Sequence, residues 1–361
     1  MFFSRNDNND NNSENIISWL NQFSHPQLIE NWAAEEHFVH LSNDTVKVTI
    51  PFAAATLVDE LRTWIESNPC PVGKVNVSVG QKVATLKAGE KTQLKGVKNV
   101  IVVSSAKGGV GKSTTAVNLA LALSACGAKT GLLDADIYGP SVPLMLGTED
   151  KQPISLDGKT MQPIEAHGLY TNSIGYLVPA DNAMAWRGPM ASKAFSQLVN
   201  ETAWPDLDYL VVDMPPGTGD IQLSLAQQFP VTAAVIVTTP QDLALADAVK
   251  GVSMFDKVNV PVLGVIENMS YHICSNCGHH EAIFGQGGAA KMAKEKGMAL
   301  LAQMPLHISI REDIDNGVPT VAARTDSEHS ALYLELARSV ACRMYWQGDR
   351  APDQISIQTI G

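Results

Sequence analysis

Two short stretches of this chain carry residue types at spacings that could do chemistry. The first is Ala106-Lys107-Gly108-Gly109-Val110-Gly111-Lys112-Ser113-Thr114. Glycines let backbone N–H groups converge on phosphate oxygens, and a helix starting at the end of the loop adds partial positive charge. Lys112 is placed to reach the β- and γ-phosphates of a nucleoside triphosphate, and the Ser113 hydroxyl to ligate Mg2+. Gly108, Gly109, Val110, Gly111, Thr114 and Thr115 complete the cradle. Ala106 replaces the first glycine of the general pattern, and a second lysine, Lys107, stands beside it. The second stretch, Cys274-Ser275-Asn276-Cys277, sets two thiols three residues apart in a turn, where they can grip one metal or cluster from one side. A complete thiolate site takes four ligands. Cys70, Cys126 and Cys342 are isolated in the sequence, so one chain supplies half of such a site and two chains related by a two-fold axis would supply all of it. That predicts a metal-bridged homodimer. Zinc held by Cys274, Cys277 and His279 or His280, a redox dithiol, and a purely structural turn are the competing readings of the same residues.

Acidic residues close two of the apolar runs. Thr130–Leu133 leads into Asp134-Ala135-Asp136, and Tyr209–Val212 into Asp213-Met214-Pro215-Pro216-Gly217. Asp213 suits a partner of magnesium-bound water, Asp134 a support for the magnesium shell, and Asp136 the residue that positions attacking water. Phosphoryl transfer needs mainly positioning and charge neutralisation, so this sparse set suffices. Gly217 is placed to offer its N–H to a γ-phosphate and to move when that phosphate leaves. The Asn-Lys-x-Asp sequence that grips guanine is absent, whereas Asn268, just beyond an apolar run ending at Glu267, can address an adenine edge. ATP is therefore the expected nucleotide.

These residues need a scaffold that brings loop ends together. The runs Val100–Ser104, Thr130–Leu133, Tyr209–Val212, Ala233–Thr238 and Val262–Glu267 alternate with helical segments, which predicts a doubly wound, mostly parallel α/β sheet with ligands at the carboxyl ends of its strands. Ahead of it, a helix at Glu14–Phe23, a hairpin formed by Phe38–Leu41 and Val46–Phe52, a helix over Ala54–Ser67 and a strand at Lys74–Val79 predict a small α/β domain. The expected organisation is a solvated, disordered tail over 1–12, the small domain over 13–87, a polar linker over 88–97, the nucleotide domain over 98–346 and a C-terminal tail over 347–361.

At 361 residues the chain has material for one large and one smaller domain. It contains no run of 18 apolar residues, and its N-terminus lacks a signal-peptide pattern, so the cytoplasm is the expected compartment and no membrane span is expected. The net charge of −11 argues against nonspecific binding to DNA or anionic lipid.

The loop with its extra lysine resembles the deviant Walker A group of dimeric P-loop NTPases, which includes septum-site and plasmid-partition ATPases, the nitrogenase iron protein and arsenite-pump ATPases. Within that group, Asp134 to Ser141, Trp186-Arg187-Gly188-Pro189-Met190, Asp213 to Asp220, and Glu267-Asn268-Met269-Ser270 followed by Cys274-x-x-Cys277 resemble the Mrp/ApbC iron–sulfur cluster carrier ATPases. The N-terminal segment is similar to a divergent copy of the small iron–sulfur assembly domain often fused to bacterial members. The resemblance implies that Lys107 crosses a dimer interface to the partner's phosphates and that Cys274 and Cys277 hold a [4Fe-4S] cluster bridging two subunits. It also implies slow ATP hydrolysis, with Lys107, Lys112 and Asp136 as catalytic residues, coupled to receipt of the cluster from a donor or scaffold and its delivery to recipient apoproteins. On that reading, loss of the γ-phosphate relaxes the loops after Asp136 and Asp213 and shifts the dimer around the cysteines. A positioning or partition ATPase acting on membrane or DNA is the alternative. Against it, the C-terminal segment lacks a Lys-rich amphipathic helix, and the acidic balance leads us to expect no nucleic-acid and no membrane partner.

Overall fold

The computed structural model describes residues 6–42, 45–73, 75–177 and 188–351. The chain opens with helix α1 (Asn6–Leu20), followed by strands β1 (Val39–Ser42) and β2 (Thr45–Ile50), helix α2 (Ala55–Ser67) and strand β3 (Asn76–Gln81). The Asn/Asp-rich run expected to be a disordered tail is therefore helical from Asn6 onward. Burial of Ile16, Trp19 and Leu20 fixes the later turns, and adding turns to an existing helix needs no new nucleus, so the polar residues continue it. Residues 1–5 lie outside the described part of the chain, as do residues 43 and 44 between β1 and β2 in sequence.

The hairpin forms as the alternation predicted: Leu41 faces Val46 and Ser42 faces Thr45. Val46, Val48 and Ile50 point inward while Thr45 and Lys47 point out, the period of a strand with one buried face. β3 then pairs parallel with β2.

The second sheet has nine strands among the described residues. They are β4 (Val97–Ser104), β5 (Thr130–Asp134), β6 (Ile164–Ala166), β7 (Leu169–Ser173), β8 (Leu207–Asp213), β9 (Ala233–Thr238), β10 (Val262–Ile273), β11 (His280–Glu281) and β12 (Ala299–Leu306). Their order is β11-β10-β9-β4-β8-β5-β7-β6, with β12 also paired to β10. All pairings are parallel except β6–β7 and β10–β11. The five apolar runs read from the sequence are its central strands, and they are apolar throughout because both faces are covered. In β4, Ile101 and Val103 face one cluster and Val100 and Val102 the other. The remaining helices of eight residues or more among the described residues are α3 (Lys112–Ala125), α4 (Gly188–Asn200), α5 (Asp220–Gln228), α6 (Asp242–Lys257), α7 (Gly288–Glu295), α8 (Ile308–Asp315) and α9 (Glu328–Gln347). α3 and α9 cover one face; α4 to α7 cover the other.

The N-terminal elements share their core with the α3/α9 face. Phe38 stacks on Trp346 with ring centroids 5.3 Å apart and 5° between planes, and Phe52 lies 5.6 Å from Tyr345. Each such pair adds about 0.5–1.5 kcal/mol beyond burial. The Ala53 N–H donates to the Tyr209 hydroxyl at 3.3 Å, and Ala55 N–H to the Cys126 carbonyl at 3.1 Å. The polar segment ahead of β4 is also fastened down, with Leu94 buried and the Lys91 ammonium donating to the carbonyls of Ala226 (2.8 Å) and Phe229 (3.1 Å). No described helix is long and apolar enough to cross a membrane.

Candidate functional site

β4 delivers the glycine loop to the carboxyl edge of the sheet. Directly after it, the Ser105 hydroxyl donates to the Lys107 carbonyl (2.9 Å) and the Ser105 carbonyl accepts from the Gly217 N–H (2.9 Å). The N–H expected to face a γ-phosphate thus belongs here to a tie between the two loops. Gly109 (φ 79°) and Gly111 (φ 81°) turn through the left-handed region, which costs an L residue about 1–2 kcal/mol. A Cβ on Gly108 or Gly109 would meet nothing within 4 Å, whereas one on Gly111 would collide with the Asn268 amide. The loop therefore has an open concave side, suited to phosphate oxygens, and a back wall formed by Asn268. Helix α3 begins at Lys112, so its first N–H groups face the open side. Ser113 and Thr114 are half-buried at its start, and the buried Thr115 turns its hydroxyl to the Gly111 carbonyl (2.9 Å). Lys107 is exposed at the rim.

The Lys112 ammonium lies 2.5 Å from Asp213 Oδ1 and 3.1 Å from Ser113 Oγ, with the ion pair buried. Pairing of β5 with β8 sets Asp134 opposite Asp213, both fully buried. Asp134 accepts from the Asp136 N–H (3.1 Å), the Ser141 N–H (3.1 Å), the Val142 N–H (3.2 Å) and the Ser173 hydroxyl (2.9 Å). It holds the loop after β5 in shape from within. Burial, with the Asp213 carboxylate, pushes Asp134 up to about 7 against the pull of Lys112 and of its hydrogen bonds to Val142 and Ser173. Burial also raises Asp136, opposed by Lys112 and reinforced by Asp213. Asp136 lines an open cleft of about 610 Å³ with Tyr138, Gly139, Pro215, Pro216, Gly219 and Gln222. Three carboxyl groups around one ammonium leave the site short of positive charge, and Asp213 Oδ2 is buried with no hydrogen-bond partner. A hard divalent cation that arrives with a nucleotide, held by its phosphates and the Ser113 hydroxyl, would supply the missing positive charge beside Asp213.

Asn268 is buried and donates its amide to the Val110 carbonyl (2.9 Å). One of the two amide N–H donors is thus engaged with the glycine loop, leaving the other, and Oδ1 as an acceptor, for an adenine edge. Its neighbour Glu267 was given no separate role by the sequence. Fully buried, Glu267 accepts from the Ser270 hydroxyl (2.6 Å), the Gln303 amide (2.8 Å) and the Ala289 N–H at the start of α7 (3.1 Å). The available signal was a carboxylate closing an apolar run, which cannot be buried without partners.

β10 continues past Asn268 to Ile273 and ends in the cysteine turn. Cys274 N–H donates to the His279 carbonyl (3.0 Å) and Gly278 N–H to the Cys274 carbonyl (2.8 Å). The backbone N–H groups of Asn276 and Cys277, and the Cys277 side chain, hold the Cys274 thiol below the usual thiol range. Cys277 is exposed. The His280 ring stacks on Tyr271, 5.2 Å between centroids, and no group of three or more His, Cys, Asp or Glu side chains among the described residues could hold a metal. Cys126 and Cys342 are buried, which pushes both thiols up, and Cys70 is half-buried in the N-terminal unit. Arg187 lies outside the described residues.

Comparison with known proteins adds three kinds of match. Residues 96–341 match the ParA-type family model described as NUBPL iron-transfer P-loop NTPase. A protein of Escherichia coli K12 named iron-sulfur cluster carrier protein is 57% identical over 353 residues, covering 96% of both chains. Among solved structures, a nucleotide-binding protein from Archaeoglobus fulgidus in complex with ADP superposes with a TM-score of 0.56 at 34% identity, over 62% of this chain and 88% of that one. The cell division ATPase MinD of Pyrococcus furiosus gives a TM-score of 0.52 at 22% identity, over 67% of this chain and 98% of that one, a likeness of fold alone.

Proposed function

This chain belongs to the ParA-type NUBPL iron-transfer P-loop NTPase family, and on that premise we propose that it is a nucleotide-switched homodimer that passes [4Fe-4S] clusters to recipient apoproteins. As an iron–sulfur cluster carrier, it treats the cluster as cargo. The observation that carries the reading is the cysteine turn at the end of β10. It offers two adjacent thiols near the surface, one of them already biased towards thiolate, and no third ligand from the same chain among the described residues. Thiolate is the form that binds iron, and a second copy related by a two-fold axis supplies the missing pair. A half-site of this kind leaves the cargo accessible for transfer.

Nucleotide binding rests on the open side of the loop at Gly108 and Gly109, the N–H groups at the start of α3, Lys112, and Ser113 with Asp213 for magnesium. Lys112 leaves Asp213 for the β- and γ-phosphates when ATP arrives, which frees the carboxylate for the water shell of the metal. Asp136, half-buried where it lines the cleft, positions the attacking water. Asp134 acts through the backbone it holds. Lys107, exposed at the rim, is placed to reach the partner's phosphates. Hydrolysis is slow because its purpose is to reset a conformation. The alternative of a membrane- or DNA-positioning ATPase gains nothing from the MinD likeness, which is of fold alone.

The test is anaerobic reconstitution of the wild type and of Cys274→Ser with iron and sulfide. Wild type should hold about four irons per dimer, absorb in the visible and run at twice the chain mass. The reading fails if Cys274→Ser retains the full iron content and absorbance.

A further inference from the structure

One strand touches both sites. β10 packs Asn268 against the glycine loop, and six residues later it supplies Cys274. At about 3.3 Å per residue the two positions are at most about 20 Å apart along a single strand. Between them the strand is irregular. Its pairing with β12 shifts register between Glu267 and Tyr271, and Met269 has φ 54°, in the left-handed region. Glu267 anchors the near side of this bulge, bonded to Ser270, to Gln303 of β12 and to the α7 N-terminus, while Gln303 also donates to Ser270 Oγ at 3.1 Å.

We propose that Asn268 is a positioning residue that transmits the state of the nucleotide loop to the cysteine turn through this bulge. The proposal rests on the carrier function set out above. Phosphates drawn into the loop fix the orientation of its peptide groups, including the Val110 carbonyl that accepts from Asn268. Any shift of that carbonyl is passed to Asn268 through the 2.9 Å hydrogen bond between them, and Gly111 leaves no room for the amide to move further into the loop. Towards its N-terminus β10 cannot yield. Residues Val262 to Glu267 pair with β9 and Gly264 to Glu267 with β12, in the close-packed middle of the sheet. Towards its C-terminus it is held by less, since among the described residues the hairpin holding the cysteines has two register pairs beyond its contacts with β12, His272–Glu281 and Ile273–His280, and the Cys274 N–H bond to the His279 carbonyl. Displacement at Asn268 therefore moves Cys274 and Cys277 while the core stays in place. This route lies within one chain and does not require the dimer interface to rearrange first.

The experiment measures the rate at which an iron chelator strips the reconstituted cluster, with and without Mg·ATP, in wild type, Asn268→Asp and Gln303→Leu. Asn268→Asp keeps the shape and loses the donor to Val110. Gln303→Leu loosens the bulge without touching the loop. In wild type, nucleotide should change the stripping rate by 5-fold or more, the scale of ordinary coupling between sites. In Asn268→Asp that ratio should fall to below 2-fold with the iron content retained, and in Gln303→Leu it should fall at least by half with ATP affinity unchanged. A purely structural role would not move the ratio while sparing cluster content. If Asn268→Asp binds ATP and keeps the wild-type ratio, the relay is wrong. If that variant does not bind ATP, an undiminished ratio in Gln303→Leu overturns it. A nucleotide-independent rate in wild type also overturns the relay but leaves the carrier function intact, whereas failure of wild type to hold a cluster refutes the carrier function itself.

Discussion

Replacing Lys112 by Met should destabilise the unliganded protein in a way that depends on pH. The substitution removes the cation from a buried pair and leaves Asp213, with no exposed surface, facing Asp134 across two paired strands. Breaking a buried pair on one side costs about 3–5 kcal/mol. The pH term comes from Asp134, which burial and Asp213 raise from the ordinary carboxylate range to about 7 while Lys112 holds it down. A carboxyl raised in the folded state binds a proton that the unfolded chain has released. Its contribution is therefore full at acid pH and is lost as pH rises through the folded value, at up to about 1.4 kcal/mol per pH unit. In wild type this loss spans roughly pH 4 to 7 and is complete a little above. Without Lys112 the folded value moves higher, so stability should keep falling between pH 7 and 9. Urea unfolding at half-unit intervals from pH 5 to 9 reads both effects as midpoint shifts at constant slope. Mg·ATP at a hundred times its Kd should add about 2.7 kcal/mol to wild type and nothing to the variant. A Lys112→Met protein within 1 kcal/mol of wild type at pH 8, with the same pH profile, would refute the argument that this lysine compensates two buried carboxylates.

Gly111→Ala should abolish measurable ATP binding in an equilibrium titration, because the new methyl meets the Asn268 amide in a left-handed backbone; Gly108→Ala, whose methyl enters the open side where the phosphates would sit, should weaken ATP binding in the same assay while leaving the urea midpoint of the unliganded protein unchanged. Cys274 should alkylate faster with iodoacetamide than Cys126 and Cys342 at pH 7, since its thiol is lowered and theirs are raised; peptide mass spectrometry at timed quenches would expose equal rates. Phe38→Ala should cost about 3–5 kcal/mol and shift one cooperative transition seen alike by tryptophan fluorescence and far-ultraviolet circular dichroism, since Phe38 is buried against Trp346; an early separate transition of the N-terminal elements would contradict the shared core.

The parts of the molecule that could be read from the sequence are those whose cause is local. The glycine loop, the central strands and the cysteine turn each follow from a few neighbouring residues. What the sequence did not reveal depends on partners far along the chain. Ser173 caps Asp134 from 39 residues away, and Asn268 reaches back to Val110 across 158. Strand β12 escaped because Ala299–Leu306 is strand by virtue of its neighbour β10, with a burial pattern that does not alternate. β6 escaped because three residues carry too little pattern, and β7 because Thr171, Asn172 and Ser173 are polar although the structure buries them. The N-terminal helix begins earlier than its apolar residues do, since propagation needs no apolar side chains.

The stacking of Phe38 on Trp346 has a consequence for synthesis. The N-terminal strands and helices leave the ribosome first, yet the helix that completes their core is made about 300 residues later, a wait of roughly 15–60 s at ordinary elongation rates. During that interval Phe38 and Phe52 lack the aromatic partners that α9 supplies in the finished protein. A chain truncated before α9 should therefore be held by chaperones or degraded, and the nascent protein acquires its native N-terminal unit only when its last helix emerges.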